Sequence, residues 1–487
     1  MRFWQLISLT CLMLWTISPA DVAAQRRLIP SLGDDVQVNP AHEDRKNEAD
    51  QAYRTGEHDK AIQLTSAVIA ENPQDHVAFY LRASARVEKG LETGDPKEVR
   101  AGISDARSAI GLGGPDAADY YLPYLYGMTN LAALEQQPQH AKTSLTIANQ
   151  VLQRPNLKPE TTANIYYQRA MTNLMLEDPK AAAADYQAAL KVLPTHLGAA
   201  LGLPDAHLAA GDKAAAKAAL DSAVQQFPNE PMVYNARGMM LQSGGDFEAG
   251  IADFTRAIEV QPEFAMGYLN RGYCLVQTGN LEAAANDFTH VLTDDPQNPM
   301  ALSMRAAVRL QQGNAAAAAA DFETMTRLQP EDPNAFASLG FSRYVLGQYE
   351  AAVQAFQQAR QLDPDGIAII GPWLFLSQAR LLGLETARVN LRAKLPADQK
   401  AWGWVDSVEG FLAGVIDSNA LRSKIDKDNP QRNTMQSCEA NFFIAQRADL
   451  EGHPDVAKQG LQATLKSESK HLWAYRAAEY QSGVFKR

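Results

Sequence analysis

The sequence predicts an all-α fold, a right-handed superhelical solenoid of about ten or eleven stacked helix-turn-helix units. Three observations predict it. From Ala163 the chain repeats itself every 34 residues, in phase, through Gly366. Each repeat sets small and aromatic residues at fixed offsets on two helical stretches, separated by a glycine turn and ended by proline. The composition is rich in Ala and Leu, both strong helix formers. A chain of 487 residues would normally split a single core, whereas stacked repeats bury their apolar faces against their neighbours.

Residues 1–24 read as a secretory signal. Arg2 supplies the positive start, Leu6 to Ile17 is largely apolar, and Asp21-Val22-Ala23-Ala24 places small residues before Gln25. An uncleaved membrane anchor is the alternative, disfavoured because the apolar run is short for a span. Residues 25–41 carry Pro30, Gly33 and Pro40 without periodicity and read as a flexible leader. Residues 42–158 hold degenerate units. The first fits through Ala49, Ala61, Val68 and Pro73, and the next starts near His76 with Phe79, Arg82 and Ala83. The turn of that second unit is lengthened over Glu92 to Lys97, and it closes around Gly114-Pro115. A further pair, between Asp119 and Pro155, uses Tyr124, Gly127 and Leu131, then Ala141, Leu145 and Ala148.

Residues 163–366 form six regular units. In 265–298, Tyr268, Gly272 and Leu275 fall on the first helix, Ala284, Phe288 and Val291 on the second, and Pro296 closes the unit. In 231–264 the same positions hold Tyr234, Gly238, Leu241, Phe254, Ala257 and Pro262. In 333–366 they hold Phe336, Gly340, Ala352, Phe356, Ala359 and Pro364. Gly272 and Gly340 let the two helices of a unit approach closely, and Phe254, Phe288, Phe322 and Phe356 fill the space between units. Arg169, Arg237, Arg271 and Arg305 recur at one position, and Asp185, Asp253, Asp287 and Asp321 sixteen residues later. That recurrence marks a structural bridge rather than a catalytic pair.

Residues 367–437 are irregular helical units, in which Trp402, Trp404, Val405, Val408, Phe411, Leu412 and Val415 read as an apolar face packed on the stack. Helix breaks at Pro430. Residues 438–487 are a last unit beginning at Cys438, followed by a capping helix from His471 to Ser482.

This pattern resembles the tetratricopeptide repeat family. The tail from Cys438 to Ala445 and the helix pair after it resemble the C-terminal region of NlpI-like bacterial tetratricopeptide proteins. The resemblance implies that first helices line a concave face on which a protein or peptide partner lies. Transferred to this sequence, the lining positions are Asn164, Tyr167 and Met171; Met232, Asn235 and Met239; Met266, Tyr273 and Gln277; and Asn334, Phe341 and Tyr344. Methionine and aromatic residues on such a face suit peptides of varied shape. The family's carboxylate clamp would want lysine where Leu269, Ser303 and Ala337 stand, which speaks against that ligand class.

The formal net charge of -11 disfavours nucleic acid as a partner. Outside the N-terminal segment no apolar stretch is long enough to span a membrane, although peripheral association with the envelope stays open. Cys274 and Cys438 read as small buried hydrophobes, and the nine histidines have no ligand spacing, so neither metal nor cofactor is expected. No phosphate loop, metalloprotease motif or nucleophile elbow occurs, and the expectation is not an enzyme. The sequence therefore reads as a secreted, periplasmic binding scaffold or adaptor. A structural subunit of an envelope, polysaccharide or secretion assembly is the alternative, and an enzyme with a hidden site is the least favoured.

Overall fold

The computed structural model describes residues 40–113, 117–364 and 370–483. The expected signal segment, nearly all of the leader, the unit closure at Gly114-Pro115 and the unit start at Ile367 lie outside these residues.

Twenty-five α-helices, and no strand, occur among the described residues. The first six are α1 (Pro40–Arg54), α2 (His58–Glu71), α3 (His76–Thr93), α4 (Pro96–Leu112), α5 (Tyr121–Leu134) and α6 (Pro138–Leu152). Then come α7 (Pro159–Met175), α8 (Pro179–Val192), α9 (Leu197–Ala209), α10 (Lys213–Gln226), α11 (Pro231–Ser243) and α12 (Phe247–Val260). The regular repeats continue as α13 (Ala265–Gln277), α14 (Leu281–Asp294), α15 (Pro299–Gln311), α16 (Ala315–Leu328), α17 (Pro333–Val345) and α18 (Tyr349–Leu362). The C-terminal part comprises α19 (Ile370–Leu382), α20 (Leu384–Arg392), α21 (Trp404–Leu412), α22 (Ser418–Ser423), α23 (Pro430–Leu450), α24 (Pro454–Leu465) and α25 (Trp473–Gln481). The chain divides within α11 into unit 1, ending at Met240, and unit 2, starting at Leu241. Each unit is built from stacked antiparallel helix pairs, the all-α solenoid architecture that the 34-residue period implies.

The turn inside each repeat explains the period locally. Gly211, Gly245, Gly279, Gly313 and Gly347 have φ between 75° and 84° and stop the first helix in the left-handed region that glycine occupies without strain. The next residue starts the second helix. The side chains of Asp212, Asp246, Asn280 and Asn314 accept from the backbone N–H three residues on, at 2.9 to 3.4 Å. One repeat departs from this chemistry: Glu177 stands at the glycine position with φ 60°. Between the helices of a unit, a Cβ on Gly272 would come within 2.6 Å of the Phe288 ring, and one on Gly340 within 2.7 Å of Phe356. The phenylalanine and the glycine are therefore one packing device.

The recurrent arginines tie each repeat to the one before it. Arg271 donates to both carboxylate oxygens of Asp287 at 2.9 and 2.7 Å, and Arg305 does the same to Asp321 at 3.1 and 2.7 Å. Arg169 holds Asp185 in the same manner, and Arg82 holds Asp105. The remaining nitrogen reaches back to the preceding second helix. Arg271 donates to Thr255 and Arg305 to Thr289, both at 3.2 Å, while Arg82 donates to Ser66 and Arg237 to Asp221, both at 3.1 Å. The guanidinium groups of Arg82, Arg271 and Arg305 each span three helices.

Pro430 opens α23 rather than breaking a helix, because proline is tolerated in the first turn and the Asn429 side chain caps it by accepting from the Arg432 N–H at 3.0 Å. The last pair therefore begins eight residues before Cys438. Trp402 and Trp404 pack inward, in keeping with the apolar face expected there: Trp402 is buried and donates to the Pro396 carbonyl at 2.9 Å, and Trp404 donates to Glu439 at 2.6 Å.

Candidate partner-binding site

In unit 1 the first helices of four successive pairs enclose an open-sided cavity of about 480 Å³, open side included. Helical spacing aims their side chains into it, because residues three and four apart share a face. Helix α1 supplies Tyr53, and α3 supplies Ser84, Val87 and Glu88. Helix α5 adds Leu122, Pro123 and Tyr126, and α7 adds Asn164, Tyr167 and Gln168. The second helices contribute nothing to the lining.

The wall combines three phenol rings with a small set of buried polar groups. Glu88 is 4% exposed and Gln168 8%. The Gln168 Oε1 is buried and accepts no hydrogen bond among the described residues, a costly state for an amide oxygen. The Ser84 hydroxyl donates to the Tyr80 carbonyl at 3.1 Å, so toward the cavity its oxygen can only accept. Asn164 is held from behind by His196. The His196 Nδ1 accepts from the Ala199 N–H at 3.0 Å, which places the ring proton on Nε2, and this donates to Asn164 Oδ1 at 3.1 Å. Burial lowers the His196 pKa to about 4, so the ring is neutral at pH 7.

The expected partner-binding residues fall into three groups. Asn164 and Tyr167 line the cavity. Met171, Met232, Met239 and Tyr273 are half-buried, Asn235 is buried with its amide against the Met239 sulfur at 3.4 Å, and Met266, Gln277 and Asn334 are exposed. The Asn334 amide donates to Asp332. Phe341 and Tyr344 are not on an open face. The chain's own C-terminal helices cover them: Phe341 stacks on Trp473 with ring centroids 4.9 Å apart, and the Tyr344 hydroxyl donates to Gln446 at 3.0 Å. Tyr480 of α25 donates to the Leu310 carbonyl at 3.1 Å. Trp373, fully buried, fills the centre of this aromatic cluster beside Phe442 and Phe443.

Most of the cavity escaped the sequence reading, yet the transferred lining positions, the second, fifth, ninth, twelfth and thirteenth of each unit, contained part of it. The ninth, twelfth and thirteenth positions counted from His76 are Ser84, Val87 and Glu88, and the twelfth counted from His42 is Tyr53. Gln168, one residue past the fifth position, carries no signal in the sequence.

Cys274 and Cys438 are buried free thiols whose pKa values burial raises to about 12 and about 11, leaving them protonated and weakly nucleophilic. Among the described residues no cluster of three or more His, Cys, Asp or Glu side chains is arranged for a metal ion, and no helix is long and apolar enough to cross a membrane.

The repeats match the tetratricopeptide repeat family over residues 173–240, 235–299 and 303–367. The central array is made of tetratricopeptide repeats. Solved structures are similar to parts of this chain at low identity. The YrrB protein, described as a tetratricopeptide protein with an unusual peptide-binding site, is 16% identical, covering 38% of this chain and 95% of its own at a TM-score of 0.34. PilF of Pseudomonas aeruginosa is 16% identical over 43% of this chain and 95% of its own, with a TM-score of 0.37. A tetratricopeptide repeat protein of Parabacteroides merdae is 16% identical over 55% of this chain and 99% of its own, also at 0.37. No curated protein matches the chain.

Proposed function

We propose that this protein is a periplasmic scaffold or adaptor that holds a peptide or protein partner on the first-helix face of unit 1. Tetratricopeptide arrays generally serve protein–protein interaction, and one observation supports that role here. Four first helices build a half-apolar cavity with buried polar groups at its wall, the composition expected of a preformed recognition site. Secretion is supported by Arg2, the apolar run from Leu6 to Ile17 and the small residues before Gln25. Presentation of a client to an envelope protease is the finer version of this role, and it rests on the resemblance of the C-terminal tail to NlpI-like proteins.

Photo-crosslinking in cells tests the scaffold role. A benzophenone amino acid at Tyr126 is expected to yield adducts with a discrete partner, whereas one at Arg100 on α4 yields none. Adducts only from α4 would move the partner to the second-helix side and favour the assembly-subunit reading. Mass spectrometry of the osmotic-shock fraction tests the location, with a mature N-terminus at Gln25 as the expected result.

A further inference from the structure

The unit 1 cavity has an aromatic wall with one unpaired amide in it. The rings of Tyr53, Tyr126 and Tyr167, with Val87, Leu122 and Pro123, make its apolar part. Gln168 lines the same cavity and is 8% exposed, and its buried Oε1 has no donor among the described residues. No hydrogen bond to the Gln168 amide fixes its orientation there, so a half-turn about the last side-chain bond presents the oxygen to an occupant. Such a wall favours a large apolar group that carries one hydrogen-bond donor.

Unit 2 gives an independent observation of what closes this kind of face. The ninth position counted from Pro333 is Phe341, and the chain covers it with an indole, Trp473, stacked at 4.9 Å. The ninth position counted from His76 is Ser84, which lines the open cavity of unit 1. No indole of unit 1 stands there, because the four tryptophans beyond the expected signal segment all belong to unit 2.

The geometry points to a tryptophan side chain of the partner as the occupant of the unit 1 cavity. This rests on the scaffold reading above and specifies what the partner must carry. Indole combines large apolar faces, which pack against tyrosine rings, with a single edge N–H that donates and never accepts. Gln168 Oε1 then gains the donor it lacks. Phenylalanine would fill the same space and leave that oxygen unpaired. Tyrosine also donates, but its own oxygen then needs a partner.

Three short peptides test this on the full chain. They are acetyl-Gly-Trp-Gly-amide, its 3-benzothienylalanine counterpart, in which sulfur replaces the indole N–H, and its tyrosine counterpart. Calorimetry is expected to show saturable binding of the tryptophan peptide, with the benzothienyl peptide about fivefold weaker and the tyrosine peptide weaker as well. Gln168→Leu should bring the tryptophan peptide down to the benzothienyl value and leave the benzothienyl peptide unchanged. Equal affinity for the tryptophan and benzothienyl peptides, tighter binding of the tyrosine peptide, or no binding of the tryptophan peptide overturns the proposal. The three peptides are compared on the unsubstituted protein, so the outcome does not depend on whether a variant folds. Crosslinking at Tyr126 separates the two readings: adducts without tryptophan-peptide binding leave the scaffold standing and remove only the tryptophan.

Discussion

The first-helix faces of the two units use the same repeat positions and reach opposite ends. In unit 1, Ser84 and Val87, ninth and twelfth from His76, border an open cavity, whereas in unit 2 their counterparts Phe341 and Tyr344, ninth and twelfth from Pro333, are sealed beneath α23 and α25. The lining positions of a helical repeat therefore specify a face and not its use. What decides is whether the same chain brings its own aromatic residues to that face. Trp473 and Tyr480 do so for unit 2, as an external ligand would.

Phe341→Ala tests this difference with the largest effect. If Phe341 belongs to the core, the change should cost unit 2 about 3–5 kcal/mol, the usual loss for a buried phenylalanine. Trp373, Trp402, Trp404 and Trp473 lie in unit 2 and the other two, Trp4 and Trp15, in the expected signal segment, so urea unfolding of the chain from Gln25 followed by tryptophan fluorescence reads unit 2. A loss under 1 kcal/mol would mean that the face opens and Phe341 is available to partners.

Acidification should act on the two units with opposite signs. His196 titrates near 4 when folded and near 6.5 when unfolded, because burial penalises its charged form. Between these values the unfolded chain binds more protons, so unit 1 loses stability as pH falls from 6.5 to 4. Burial raises the Glu439 pKa from 4.5 to about 7. Over that window the folded chain binds more protons, so unit 2 gains stability as pH falls from 7 to 4.5. Each contribution is on the order of 2–3 kcal/mol. Hydrogen exchange of α9 amides and tryptophan-detected unfolding of unit 2 should move in opposite directions between pH 7.5 and 5. His196→Asn, which keeps a helix cap, should flatten the first response, and Glu439→Gln the second.

Asp287→Ala should cost unit 2 about 2 kcal/mol by stranding Arg271, a loss measurable in the same urea titration. The smallest effect is a gain. Glu177→Gly relieves the left-handed backbone of the irregular turn and should stabilise unit 1 by about 0.5–1 kcal/mol, read as a rise in Tm by circular dichroism. No rise would mean that Glu177 is held there by a compensating interaction.

Much of the fold was legible because each regular repeat restates the same local chemistry. Gly279 followed by Asn280, and Gly272 facing Phe288, can be read without any tertiary knowledge. The Arg271–Asp287 spacing foretold a bridge, but the reach of the same guanidinium to Thr255 depends on how consecutive pairs stack, which one repeat does not encode. Pro430 misled because proline ends helices and also begins them, and only the cap at Asn429 decides. The covering of Phe341 was out of reach of sequence reading, since Trp473 lies 132 residues further along with no motif to pair the two. The cavity lay in between: its lining positions were partly available, but Glu92 to Lys97, read as a lengthened turn, is mostly helix, because α3 runs on to Thr93 and α4 starts at Pro96.

The arginines that span three helices also set how the array comes apart. In a linear stack, cooperativity depends on how strongly each element is coupled to its neighbour. Among the units from 163 onward, Leu203 and Leu339 take the arginine position, and Leu203 does so with Arg169 and Arg237 on either side. The junction between α8 and α9 therefore lacks the clasp that Arg169 and Arg237 supply to the junctions on either side of it, and it holds His196, whose uncharged state weakens in acid. Partial opening of unit 1 should begin at that seam. A protease acting on the native protein would leave its earliest cuts there, and its fragments would map the joint.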